Sequence, residues 1–411
     1  MNAGILNAKN PREKTASATA VCIIVENLSV PLDRRVWNEA LTLRDACYSV
    51  SVICPKSKAP YAASYEIYEG IHIYRYPSWE ATTAAGYLLE YSLAFFCQLA
   101  LMLRVFIRTR FKILQGCNPP DNIFLLALLL RPFGVRFIFD HHDLSPELLK
   151  DKFQPAHPLL SALVRLAEKY TFQTAHVSIA TNQSYKEVAI ERGKKSADKV
   201  FIVRNLPDLK RLPLPPARAE SASKKQLQVL YVGFMGSQDG LDLLLQSIEY
   251  IVQVKKRQDV NFLLVGSGNV LPGLKSVVAQ KNLAAFVTFT GQVPHEQVVQ
   301  YLLSADIGVA PDPKSSLNDK STMIKILEYM AFQIPVVLFD LCEGRRSAGP
   351  AALYARPNDP IDFADQILRL LDSQELREQL GAHGRQRIEE SLNWETEKSS
   401  LLSAYHTALQ I

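Results

Sequence analysis

Lys325 and Glu328 stand three residues apart in the segment N-D-K-S-T-M-I-K-I-L-E-Y-M-A-F-Q-I-P-V-V, residues 318–337. A cation and a carboxylate at that spacing share one side of a helix near its positive end. There the free N–H groups favour a phosphate, and a carboxylate deeper in can accept hydrogens from ribose or sugar hydroxyls. Asn318, Asp319, Ser321 and Thr322 precede the apolar run and can cap the helix start. Pro335 stops the helix, and residues 336–339 read as a short buried strand. An amphipathic helix with one i, i+3 ion pair accounts for the same pattern without any ligand.

Three other places carry chemistry-bearing residues. D-H-H-D-L-S-P-E, residues 140–147, puts Asp140, His141, His142, Asp143 and Glu147 at the end of an expected strand. Ligands of open α/β sheets bind at such carboxyl ends. Metal binding is one reading, although adjacent histidines point different ways and no further His or Cys sits at ligand spacing. A structural polar cluster is the other. Asp33, Arg34 and Arg35 follow the first expected strand, where a helix N-cap with solvated arginines is as good a reading as a ligand site. Gly233 and Gly236, in G-F-M-G-S-Q-D-G-L-D after the strand expected at 228–232, let backbone approach a diphosphate at a helix start. Glycines after a strand are common without any phosphate.

The elements that must position these groups alternate regularly. Apolar runs predict strands over 18–27, 50–54, 71–76, 136–140, 176–180 and 199–203, with helices between them, and 112–115 precedes the turn C-N-P-P-D. The pattern restarts with strands at 228–232, 261–265, 287–291, 307–310 and 336–339. That is an α/β fold of two doubly wound, Rossmann-like domains. The Pro- and charge-rich stretch in 207–225 has linker composition. We therefore expect an N-terminal domain over 1–206, a linker over 207–226 and a second domain over 227–392. Residues 393–411 form a terminal helix, and the glycine-rich stretch 343–349 is expected as a loop over the ligand.

At 411 residues the chain exceeds one ordinary core, which agrees with two domains. A hydrophobic share of 48% against 21% charged residues is ordinary for a globular protein, and a net charge of +5 gives no basic stripe for nucleic acid. Six cysteines (22, 47, 54, 97, 117 and 342) show no zinc spacing and read as reduced thiols of a cytoplasmic protein. Residues 1–17 lack the apolar core of a signal peptide. The most apolar stretch, 84–106, is interrupted by Glu90 and Arg104, so no clean membrane span is expected. With Arg104, Arg108, Arg110 and Lys112 beside it, the stretch suits either a helix in the interface of an anionic membrane or an ordinary core helix. No G-x-G-x-x-G follows the first strand, which disfavours a nucleotide-cofactor oxidoreductase.

The 318–337 segment resembles the donor site of family-four glycosyltransferases of GT-B fold, in the bacterial branch that builds surface polysaccharides. The likeness extends to V-P-x-D-R-R-V and x-E-A-x-x-L near the N-terminus and to D-x-H-D, which falls on residues 140–143 with His141 as the x. It implies two Rossmann-like domains facing across a cleft, a terminal helix over 393–411 that crosses back to the first domain, and retaining transfer of a sugar from a nucleotide-sugar, expected to be UDP-linked. It also implies a lipid-linked saccharide acceptor, no metal and no cofactor beyond that co-substrate. It assigns the ribose to Glu328 and the reaction centre to His142, with Asp143 and Glu147 placed to orient it or the acceptor. Asp33, Arg34, Arg35 and His141 fall on the acceptor side. The diphosphate is expected at Ser321, Thr322, Lys325 and the Gly233–Gly236 loop. Three family features are absent: Lys320 replaces the first glutamate of the donor motif, the first loop lacks its glycine pair, and Asp239 stands before Gly240 where a lysine is usual. Lys325 and Lys320 are the expected substitutes for the missing cations. A catalytically silent, nucleotide-sugar-binding scaffold and a GT-B epimerase are the alternatives.

Overall fold

The computed structural model describes residues 18–57, 61–77, 84–152, 157–212 and 226–410. Residues 1–17 and most of the expected linker, 213–225, lie outside the described residues. The chain divides into two compact units: 1–115 with 129–136, and 116–128 with 137–411.

In the first unit lie β1 (Ala20–Ile24), α1 (Arg34–Asp45), β2 (Ser49–Pro55), β3 (Tyr65–Tyr68), β4 (Ile71–Tyr76), α2 (Ala84–Thr109) and the start of β5 (Ile113–Cys117). Its strand order is β3-β4-β2-β1-β5, with β1, β2 and β4 parallel and β3 antiparallel on the edge. β3 is a strand that the sequence did not announce, because its residues are mostly exposed and give no buried run. Asp33 caps α1, accepting from the Val36 N–H at 3.0 Å.

α2 bears on the expectation about membranes without deciding it. By length and composition, Leu89–Thr109 is long and apolar enough to cross one, and only 28% of its most apolar window is buried. Leu89, Leu93, Phe96, Leu103 and Ile107 are exposed and recur at helical spacing on one face. Met102 and Val105, on the other side, are buried, so only that side of the helix is used as core.

The second unit begins with the end of β5 and most of α3 (Phe124–Leu130), then β6 (Arg136–His141), α4 (Ser145–Lys152), α5 (Pro158–Thr174), β7 (Val177–Ala180), α6 (Gln183–Glu191) and β8 (Val200–Ile202). β6, β7 and β8 are parallel neighbours. The chain continues with β9 (Leu227–Val232), α7 (Leu241–Glu249), β10 (Val260–Val265), α8 (Leu271–Gln280), β11 (Val287–Gly291), α9 (His295–Ser304), β12 (Ile307–Ala310) and α10 (Ile324–Ala331). It ends with β13 (Val336–Phe339), α11 (Cys342–Ala348), β14 (Ala352–Ala355), α12 (Pro360–Asp372), α13 (Gln374–Glu390) and α14 (Trp394–Gln410). α14 packs on β8, where Ser400 donates to the Ile202 carbonyl at 2.6 Å.

The second sheet is parallel, in the order β11-β10-β9-β12-β13-β14. Successive residues of its strands feed opposite layers, as a doubly wound sheet requires. Val229 and Tyr231 of β9 pack with Leu244, Ile248, Phe363 and Ile367, whereas Leu230 packs with Leu302, Leu327, Tyr329 and Met330. Two local expectations fail here. Residues 343–349 are not a loop, because α11 covers most of them; a Cβ on Gly344 would come within 2.7 Å of Leu338, so glycine lets this helix lie tightly on β13. Nor do the polar residues before α10 cap it. Asn318–Lys320 is a 3-10 turn, and α10 starts behind Met323 without a side-chain cap.

Candidate functional site

The order of the second sheet reverses direction between β9 and β12, and such switch points are where parallel sheets open a crevice. The loop after β9 carries Gly233, Gly236, Asp239 and Gly240. Gly240 has φ +67°, and a Cβ there would stand 2.0 Å from the Pro311 carbonyl oxygen, so only glycine lets the two loops touch. Both sides of the crevice meet at Lys325 on the first turn of α10. Its Nζ lies 2.9 Å from Asp312 Oδ1, 3.7 Å from Asp239 Oδ1 and 4.7 Å from the centre of the Tyr231 ring. Burial alone would lower its pKa, but the two carboxylates outweigh that and hold it above the usual lysine range.

Lys325 is therefore not a free cation waiting for a phosphate. Asp239 Oδ2 also accepts the Gly236 N–H at 3.0 Å, so this loop amide and the lysine already share one internal carboxylate. Burial raises the Asp239 pKa; Lys325 works against that and Asp312 adds to it. Asp312 Oδ2 is buried without a hydrogen-bond partner. Glu328 is half-buried one turn further along α10.

The residues expected to cap α10 serve another purpose. Asn182, which caps α6, donates to the Lys320 carbonyl at 2.8 Å and to Thr322 Oγ1 at 3.1 Å. The Tyr185 hydroxyl stands 3.2 Å from Ser321 Oγ. Ser184 donates to Glu343 at 2.6 Å, and Arg346 binds the same carboxylate at 2.6 Å. The carboxyl end of β7 and the approach to α10 are thus tied by side chains from α6 and α11.

Past the end of β6, His142 Nε2 lies 2.7 Å from Asp140 Oδ2, and Asp140 is fully buried. The N–H groups of His142 and Asp143 both donate to Asn118 Oδ1, at 2.7 and 3.1 Å, while Asn118 Nδ2 donates to the Asp143 carbonyl at 2.8 Å. One asparagine thereby fixes the turn that presents His142. Cys117 Sγ, Asp140 Oδ2 and His142 Nε2 lie within 4.8 Å of one another, a donor set that could hold a divalent metal. Sequence spacing hides this set because Cys117 arrives from β5.

Other candidates fall elsewhere. His141, expected on the acceptor side, has no exposed surface and packs against Phe139, Phe172 and Tyr185. Glu147 is engaged by Arg192 at 2.6 Å instead of pointing to His142. In the first unit Asp33 is the α1 cap, Arg34 is exposed, and Arg35 is buried 3.3 Å from the buried Glu39. Asp312, Tyr231, Asn118, Asn182 and Tyr185 were missed. The available signal was position, since Asp312, Asn118 and Asn182 all lie just past a strand's carboxyl end.

Two family models match this chain. "Glycosyl transferases group 1" matches residues 226–373, which hold the crevice just described, and "Glycosyltransferase Family 4" matches residues 32–211. The chain is a family-four glycosyltransferase of GT-B fold. This glycosyltransferase is 27% identical over 154 residues to alpha-D-kanosaminyltransferase of Streptomyces kanamyceticus, a match covering 37% of this chain and 38% of that one. It thus spans less than half the length of that relative. Its fold superposes on sucrose-phosphate synthase from Thermosynechococcus elongatus with a TM-score of 0.77 at 19% identity, covering 95% and 99% of the two chains. It also superposes on HepE of Anabaena in complex with UDP, with a TM-score of 0.66 at 12% identity over 95% and 100%. The departures from the family motif now have places in the glycosyltransferase. Asp239 faces Lys325, and Lys320 offers its carbonyl to Asn182.

Proposed function

We propose that the protein moves a glycosyl group, with retention, from a UDP-sugar to a lipid-linked saccharide. The observation that carries this reading is the switch point between β9 and β12, where the Gly233–Gly240 loop meets Lys325 of α10, with Glu328 one turn further along that helix. A glycine loop with a buried lysine suits a departing diphosphate, and a carboxylate one turn on suits ribose hydroxyls. UDP is favoured as the nucleotide because HepE, of the same fold, is described in complex with it. Residues 227–392 are the donor domain in this reading. His142, held by buried Asp140 and the Asn118 clamp, is the group offered to the sugar or acceptor, with Asp143 beside it. The chemistry needs no metal and no cofactor beyond the nucleotide-sugar.

Calorimetric titration with UDP-, GDP- and ADP-sugars tests the donor site. Wild type should bind one nucleotide class, and Glu328→Ala should bind it on the order of tenfold or more weakly, because a hydrogen bond to a charged group is lost. Equal affinity for both proteins would remove Glu328 from the site.

The exposed face of α2 supports a lipid-linked acceptor and contact with an anionic membrane, since Arg104 and Arg108 flank its apolar residues. Phe96→Glu combined with Ile107→Glu should reduce co-sedimentation with phosphatidylglycerol vesicles by about tenfold or more. Unchanged binding would return α2 to the role of a plain structural helix.

A further inference from the structure

We propose that Asp239 sets the affinity for the donor by occupying, in the unliganded enzyme, the seat of the donor diphosphate. The inference rests on the donor reading above and goes beyond it by naming what the donor must displace. One oxygen of Asp239 takes the Gly236 N–H at 3.0 Å, and the other lies 3.7 Å from Lys325 Nζ. A loop amide and a buried ammonium are the pair that a phosphate oxygen would take, so the carboxylate is an internal mimic of that anion.

The second carboxylate cannot act in this way. Asp312 Oδ1 binds Lys325 from the β12 side at 2.9 Å and is 2% exposed, so it stays as the permanent counter-charge. Asp239 is more exposed, at 15% of its side chain, and lies on the glycine-bearing loop. When a diphosphate arrives, Asp239 must turn away or face its negative charge. Two carboxylates beside one lysine offset its charge locally.

Asp239→Asn is the sharp test. Its amide oxygen can still accept from Gly236, so the loop keeps its bond while the competing charge disappears. UDP should bind the variant on the order of tenfold more tightly, a change that matches removal of one like charge at contact distance. Uridine, which has no phosphate, should bind both proteins equally. A gain for UDP alone supports the proposal. Equal or weaker UDP binding by a folded Asp239→Asn overturns it while leaving the donor site intact. If wild type binds no nucleotide at all, the donor reading itself falls. Should the variant not fold, the Gly236 amide of wild type gives the answer by NMR. It should shift with UDP and stay still with uridine, and an identical response to both overturns the proposal.

Discussion

Lys325→Met is expected to lower turnover at least about a hundredfold, the scale set by removing one charged donor from a developing anion. It should also destabilise the fold by about 3–5 kcal/mol, because breaking a buried ion pair strands the partner. Both effects follow from one position: Lys325 is 10% exposed, and Asp312, its nearer partner, is 2% exposed. The two losses can be separated. Adding Asp312→Asn removes the stranded charge, so Lys325→Met/Asp312→Asn should regain most of the melting temperature and none of the turnover. A double variant that recovers turnover along with stability would show that Lys325 is structural only. Arginine is a poor substitute, since the ammonium is confined between two carboxylates and the Tyr231 ring, and a Cβ on Gly233 would already sit 3.5 Å from Lys325 Cε.

What was legible in the sequence was what periodicity and strand ends encode. The alternation of apolar runs placed eleven strands close to their observed positions, because buried parallel strands read as continuous Val, Ile and Leu, while the run of β5 was marked only as the approach to a turn. The edge strand β3 was invisible because its side chains face solvent, and β14 because Ala352–Ala355 carries one large aliphatic residue and a tyrosine between alanines. The 318–337 segment was singled out, but its partners were not. Capping rules assigned Ser321 and Thr322 to α10, whereas tertiary contacts from Tyr185 and Asn182 claimed both. Asp239 faces Lys325, a pairing that its place in the motif did not announce. Its neighbour is 86 positions away, and no spacing rule joins residues brought together by a switch point. The D-H-H-D pair divided as a strand end dictates: His141 points inward as the last residue of β6, and His142 is released into the turn that Asn118 holds.

That inward histidine makes one acid-sensitive contribution to the stability of the fold. Burial among Phe139, Phe172 and Tyr185, together with the positive charges of Arg192 and His142, pushes His141 down from 6.5 to about 3. In the unfolded chain it titrates near its ordinary value. Between those two pH values the unfolded chain binds a proton that the native state refuses, so stability is full above about pH 6.5 and falls as pH drops towards 3. At pH 4.5 the loss from this one group is about 2–3 kcal/mol. Asp121 and Glu168 pull the other way, since burial raises them to about 6 and about 7 and so favours the native state as they protonate. Total stability therefore mixes opposing slopes, and the informative quantity is the gap between wild type and His141→Leu. Leucine keeps the volume and cannot charge. Urea unfolding at pH 7.5, 6 and 4.5 should show wild type losing ground to the variant step by step, most of it between pH 6 and 4.5. A gap that is constant across the three values would mean that His141 takes up its proton in the native state, and that the aromatic pocket is wetter than its packing implies.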